Sequence, residues 1–361
     1  MPGALVLTAS IGAGHDVPAE RLARDLRARG IEVHVADGVA AMGGLIEKTI
    51  AGATAYETPF GNRLFDAQHL VGIRFPPGRR LSGRLLQTLG ARGLLALVVA
   101  HRPDVIVSTY PGTTELLGRL RRAGRLQIPT VAAITDLASL QMWAHPGIDL
   151  HLMTHPESMR EVRAIAGRGA DIVAVRGFNP AGFEQPPSRA TARAALGLPA
   201  TGSVVLISGG GWGVGDVAGA IGVALRAGVD RVLVLCGTNA ELREQVPDDP
   251  RVRAFGFTER MPELLSAADV LIHSTAGLTV LEALICGTRV ISYGWARGHI
   301  RLNNIAFRRS NLAQVARDLT ELEMMLATAL RAPAAPLVGW FALPAATDVL
   351  LDRFPVLKQA A

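Results

Sequence analysis

The sequence is poor in the features that usually place a protein quickly. Its 361 residues hold only two cysteines, Cys236 and Cys286, both in apolar surroundings, so reduced core thiols in a cytoplasmic protein are expected instead of a disulfide framework. Aromatics make up 5%, and no recognition motif accompanies the basic stretches, which argues against nucleic acid as a partner. The longest apolar run, "GLLALVVA" at 93–100, falls far short of the roughly 20 residues of a spanning helix. No basic segment precedes the first apolar run, which reads as a strand and not as an address. Any contact with a membrane is therefore expected from its surface.

What is present is the composition of an α/β enzyme, 49% hydrophobic and 19% charged, in a chain longer than one core usually supports. The formal charge is +6, and residues 1–180 carry 20 Lys or Arg against 15 Asp or Glu. Much of that excess lies in "GIRFPPGRRLSGRLLQTLGARGLL", where Arg74, Arg79, Arg80, Arg84 and Arg92 alternate with apolar side chains. The pattern suits anionic headgroups, and it equally fits a solvated helix face in an arginine-rich chain.

Strand-like runs alternate with helix-period segments: "ALVLTA", "IEVHVA", "DVIVST", "PTVAAIT", "DLHLMT" and "DIVAVR", then "SVVLIS", "RVLVLCG", "RVRAFG", "ADVLIHS" and "TRVISYG". Such alternation is the mark of doubly wound parallel sheets. The Pro- and Gly-rich "GFNPAGFEQPPSRA" interrupts it. The expected architecture is an α/β fold of two Rossmann-like domains, 1–177 and 191–335, facing a cleft, with 178–190 as linker and 336–361 packing back on the first domain. In open α/β sheets the ligand lies beyond the carboxyl ends of the strands.

The loop "LVLTASIGAGHD" runs from a strand into a helix but fits neither G-x-G-x-x-G, since Val17 stands where glycine is needed, nor a lysine-bearing phosphate loop. In "SVVLISGGGWGVGD" the consecutive Gly209, Gly210 and Gly211 admit either close approach of a diphosphate or a tight turn, with Gly213 and Gly215 opening the next helix. "ADVLIHSTAGLTVLEALICG" offers Ser274, Thr275, Gly277, Leu278 and Thr279 at a helix start, with Glu282 within two turns, placed to accept ribose hydroxyls. His145, His151 and His155 invite a zinc reading, but no nearby cysteine or H-E-x-x-H pattern supports one.

Taken in order, "TASIGAGHDVPAERLARDL", "PDVIVSTYPGTTELLGRLRRAGRLQIPTVAAITDLASLQMWAHPGIDLHL", "GGGWGVGD", "VLVLCGTN", "VRAFGFTERMPELLSAADVLI" and "AGLTVLEALICG" resemble the monogalactosyldiacylglycerol synthase-type glycosyltransferases over roughly residues 4–305. These are relatives of the N-acetylglucosaminyltransferase that acts on the lipid-linked peptidoglycan precursor. The resemblance implies a GT-B fold, a UDP-sugar donor on the C-terminal domain and a lipid or hydrophobic acceptor, diacylglycerol-like, on the N-terminal one. It puts Gly12, Gly14 and His15, with Trp143 and His145, on the acceptor side, alongside Thr135, Asp136 and Pro146. It puts Gly209–Gly211, Cys236, Gly237, Asn239, Gly256, Phe257, Thr258 and Glu282 on the donor side.

The chain departs from the family in two loops. His273, Ser274, Thr275, Ala276 and Gly277 stand where relatives carry a lysine and paired glycines. "ARGHIRLNN" stands for a loop that contacts the donor sugar, with His299 and Ile300 in place of glutamine and glutamate and Asn303 or Asn304 keeping the asparagine.

The reaction expected is inverting glycosyl transfer. His15 at a helix start acts as base, with Asp136 as the rival base or the group that orients it. The sequence has no D-x-D pair, so no essential metal or other cofactor is expected, and backbone N–H groups with His273 or Arg297 would meet the leaving diphosphate. The alternatives are a UDP-sugar 2-epimerase of the same fold and a catalytically degenerate UDP-sugar or lipid binding protein. The partners expected are UDP-sugar, the acceptor and an anionic membrane surface reached through the basic N-terminal domain, at the inner face of the plasma membrane.

Overall fold

The computed structural model describes residues 3–10, 13–53, 69–275, 277–294, 298–332 and 336–358. It divides into two compact units, 1–180 with 343–361, and 181–342. The first is built on β1 (Gly3–Thr8), β2 (Glu32–Asp37), β3 (Val105–Ser108), β4 (Thr130–Ile134), β5 (Leu150–Met153) and β6 (Asp171–Ala174), ordered β2-β1-β3-β4-β5-β6. The second uses β7 (Val204–Ser208), β8 (Arg231–Leu235), β9 (Val252–Phe255), β10 (Val270–His273), β11 (Arg289–Ser292) and β12 (Gln314–Val315), ordered β12-β11-β10-β7-β8-β9. Every strand pairing given for the two sheets is parallel.

Parallel strands covered on both faces read as continuous apolar runs, and β1 shows why. Leu5 and Leu7 point into one cluster with Leu94, Val98, Leu116 and Trp143, while Ala4 and Val6 point into another with Leu22, Leu26 and Phe178. The C-terminal segment completes the second cluster: Ala346, Leu350, Leu351 and Leu357 pack there. Around that return the Arg176 N–H donates to the Pro344 carbonyl at 3.0 Å and the Ala346 N–H to the Arg176 carbonyl at 2.8 Å, and Arg29–Asp348 and Arg353–Asp171 ion pairs, each 2.7 Å, fasten its surface.

Two elements differ from the sequence expectation. The β4–β5 crossover, residues 135–149, contains no α-helix and folds as successive turns. The apolar run 93–100 is the end of a 26-residue helix, Pro76–His101, long and apolar enough by length and composition to cross a membrane. Gly83, Gly90 and Gly93 interrupt its apolar pattern in the sequence. In the fold they allow close packing: a β-carbon at Gly83 would strike the Arg119 guanidinium, and one at Gly90 would lie 2.8 Å from Met42. Buried Ala91, Leu94 and Val98 turn one face of the helix inward.

Candidate functional sites

Each sheet reverses strand order once, between β1 and β3 in the first unit and between β7 and β10 in the second. Such switch points open a crevice at the strands' carboxyl ends. In the first unit the crevice is closed by hydrogen bonds around His15, on the Ala13–Arg27 helix that follows β1. Its Nδ1 lies 2.9 Å from the carbonyl oxygen of Thr109, just past β3, and the Thr109 hydroxyl donates to the His15 carbonyl at 3.0 Å. An imidazole giving its Nδ1 proton to a carbonyl keeps Nε2 as its basic nitrogen.

Two aromatic rings flank this imidazole. Tyr110 meets it edge-on at 5.0 Å, and Trp143 lies tilted at 5.8 Å. Trp143 is only 2% exposed and its indole N–H donates to Asp136 Oδ2 at 2.9 Å, so the helix-free crossover returns both residues to the switch point. His15, Asp136 and Trp143 are thus brought together. Thr109 and Tyr110 join them, although no side-chain pattern singled them out. Asp16, next to His15, accepts from the Thr8 hydroxyl at 2.7 Å, and burial pushes its carboxyl up from the ordinary value.

His145 stands apart from that group. Its ring packs on Gly118, its Nδ1 accepts from the Gly147 N–H at 3.0 Å, and burial followed by Arg119 and Arg122 brings it down to about 4. His151 Nε2 accepts from the His145 N–H at 3.4 Å and its Nδ1 faces the Asp171 carbonyl. These bonds lock the crossover. Gly14 is exposed on the first helical turn, and Gly12 lies outside the described residues.

In the second unit the Ser208–Asp216 loop and the β10 loop meet at the switch point. His273 Nδ1 faces the Ser208 carbonyl at 3.2 Å, and its Nε2 pairs with the Thr275 hydroxyl at 2.9 Å. Burial brings this imidazole down to about 4. His273 is therefore neutral near pH 7 and does not supply the positive potential expected of it, and Arg297 lies outside the described residues. Ser274 is buried and its hydroxyl donates to the Val214 carbonyl at 2.5 Å.

The glycines fit closely within this loop. Gly210 has φ +71° and a β-carbon there would meet Thr275 Oγ1 at 2.9 Å, while one at Gly209 would strike the Gly213–Val214 backbone. Gly211 receives the Thr238 N–H at 2.8 Å. The following helix, Val217–Arg226, has its N-terminus occupied by Asp216, which accepts from Gly219 at 2.9 Å and from the Tyr293 hydroxyl at 2.5 Å. The Leu278–Ile285 helix instead begins at Gly277 with no side-chain cap, and Leu278 and Thr279 form its first turn. Ala276, beside it, lies outside the described residues.

Glu282 on that helix is only 5% exposed, unlike an ordinary solvated helix carboxylate. Asn239 caps the Ala240–Gln245 helix through the Leu242 N–H at 2.9 Å, and Phe257 beyond β9 is 67% exposed. On the Gly298–Arg309 helix, burial brings His299 down to about 4. Asn303 is fully buried, and Asn304 accepts from Ser292 at 2.8 Å. Among the described residues no group of three or more His, Cys, Asp or Glu is gathered as for a metal ion.

Residues 15–177 match the family model for monogalactosyldiacylglycerol (MGDG) synthase, and 213–322 match that for glycosyl transferases group 1. The chain is similar to the processive diacylglycerol beta-glucosyltransferase of Bacillus pumilus, 25% identical over 80% of this chain and 76% of that protein. It is also similar to the protein of the same name from Bacillus cereus, 25% identical over 89% and 84%. Among solved structures, Acinetobacter baumannii MurG aligns with TM-score 0.61 at 16% identity over 98% of this chain and 99% of that one. Arabidopsis thaliana UGT89C1 complexed with quercetin aligns with TM-score 0.61 at 15% identity over all of both chains.

Proposed function

We propose that this chain, a GT-B glycosyltransferase whose N-terminal half is of the monogalactosyldiacylglycerol synthase type, moves a sugar from a UDP-sugar to a hydroxyl of a diacylglycerol-like lipid with inversion. The observation that carries the reading is the clamped His15, whose basic Nε2 suits it to take the acceptor's proton. The hydroxyl oxygen bonds to the anomeric carbon as the bond to UDP breaks, the proton passes to His15, and UDP leaves. Asp136, a carboxylate that accepts from the Trp143 indole N–H, is the second candidate base. The resemblance reads Gly12, Gly14, Trp143 and His145 onto the acceptor side, His145 acting there through the crossover it locks.

The donor is read onto the second unit. The uncapped start of the Leu278–Ile285 helix favours the diphosphate, the buried carboxylate of Glu282 the ribose hydroxyls, and exposed Phe257 the uracil face. His299 and Asn303 belong to the loop read toward the sugar. The epimerase and non-catalytic alternatives are not favoured, since the matched relatives are named as transferases.

No metal takes part in this reading. The sequence offers no D-x-D pair, and turnover is expected to survive EDTA; loss restored by one divalent ion would overturn this part. The working place is the cytoplasmic face of an anionic membrane, met by the exposed side of Pro76–His101.

The deciding experiment is UDP release from a panel of UDP-sugars, with and without anionic liposomes containing diacylglycerol. Lipid-dependent release that is lost in Glu282→Ala is expected. Ordering two ribose hydroxyls on a buried carboxylate is worth about 1.5–3 kcal/mol per bond, so donor affinity should drop at least roughly tenfold in that variant. Release indifferent to lipid would discard the lipid acceptor.

A further inference from the structure

Both switch points are closed by a histidine whose Nδ1 faces a main-chain carbonyl of the neighbouring strand end, His15 on Thr109 and His273 on Ser208. The two imidazoles differ in burial. His273 is buried and its Nε2 is engaged by Thr275, whereas His15 is half-buried. Thr109 itself is fully buried: its N–H donates to the Leu7 carbonyl at 2.9 Å, its carbonyl receives His15 Nδ1, and its hydroxyl lies 3.0 Å from the His15 carbonyl and 3.3 Å from that of Leu7. The clamp therefore grips both the side chain and the main chain of one residue.

We infer that Thr109 is a positioning residue for proton transfer, fixing the tautomer and the direction of His15; this rests on the reading of His15 as the proton acceptor. A neutral imidazole carries one N–H. With that proton committed to the Thr109 carbonyl, the lone pair stands at Nε2. A flip of the ring would bring a C–H to the carbonyl and forfeit the bond, and Tyr110 packed edge-on restrains it. When Nε2 accepts the proton of the attacking hydroxyl, the resulting imidazolium shares its Nδ1 proton with the same carbonyl, which favours the charged product. The proton then returns to solvent as UDP departs. No carboxylate is required on Nδ1, which separates this arrangement from a histidine oriented by an acid.

The test compares wild type, Thr109→Ser and Thr109→Val as full-length chains labelled with 15N-imidazole histidine, with His15→Gln to assign the His15 resonances. Wild type and Thr109→Ser should show the Nδ1–H tautomer at His15. Thr109→Val keeps the shape and the main-chain carbonyl but loses the hydroxyl bond to the His15 carbonyl that aligns the Thr109 carbonyl with Nδ1, so it should show a mixture of tautomers. With whichever UDP-sugar the wild type turns over, kcat of Thr109→Val should fall roughly tenfold with donor KM and UDP affinity unchanged, and Thr109→Ser should restore it. Unchanged UDP affinity reports an intact second unit, and an unchanged thermal midpoint an intact first unit. A Thr109→Val chain with the wild-type tautomer pattern and wild-type kcat overturns the proposal. Because the tautomer comparison needs no substrate, a wild type inert toward every UDP-sugar would count against the transfer reading alone, and a wild-type His15 in the Nε2–H form would overturn the positioning role.

Discussion

At the scale of single residues, His15 and His273 show one side chain used for two purposes. Both face a main-chain carbonyl through Nδ1, and in the buried one Nε2 also pairs with the Thr275 hydroxyl, which holds the loop. On the proposed reading of His15 as the proton acceptor, its replacement acts on the first unit alone. His15→Ala is expected to lower kcat by roughly 10²–10⁴-fold while UDP affinity, followed by calorimetry, stays at the wild-type value. Near-full turnover in that variant would move the base to Asp136. Thr109 was not legible in the sequence because its contacts with His15 run through a main-chain carbonyl, which every residue possesses, and through a hydroxyl whose partner is 94 residues away. The place of Glu282 on a helix behind hydroxyls and a glycine was legible in the sequence, and its burial came from the fold.

At the scale of elements, the Pro76–His101 helix has two chemistries on two faces. Leu81, Leu85 and Leu89, 59%, 50% and 47% exposed, repeat every fourth residue, and Arg80, Arg84 and Arg92 flank them in solvent. Apolar area beside cations is what an anionic bilayer surface rewards, at about 1 kcal/mol per arginine near the surface. Serine at all three leucines is expected to cut sedimentation with anionic liposomes at least roughly tenfold without changing UDP affinity, because none of the three belongs to the packed face. Equal sedimentation would remove this helix as the membrane contact. The element itself was read short in the sequence because glycine and arginine break its apolar run. Those same glycines are what let it pack closely on its own unit.

For the whole molecule, four imidazoles share one thermodynamic consequence. Burial, reinforced at His145 by nearby arginines, brings His145, His155, His273 and His299 each down to about 4 from an ordinary 6.5. The unfolded chain therefore binds more protons than the folded one between these values, so stability must fall as pH drops from about 6.5 toward 4. Calorimetric Tm should decline over that window and be flat in this contribution above it. A Tm independent of pH between 7 and 5 would contradict neutral, buried imidazoles.

Several of these features belonged to the sequence alone. The apolar runs became β1 to β11 because the inner strands, buried on both faces, need side chains that water disfavours along their whole length, while the edge strands β2, β6 and β9 are only partly buried. Only β12, two residues long, carried too little pattern to be read. The strand order, and with it the two switch points, came from the tertiary fold. So did the Thr109–His15 clamp, the Trp143–Asp136 bond across a crossover without a helix, and the neutrality of His273. Periodicity records which faces are buried. Hydrogen-bond partners distant in sequence and the desolvation that moves a pKa exist only once the strand ends have been set side by side.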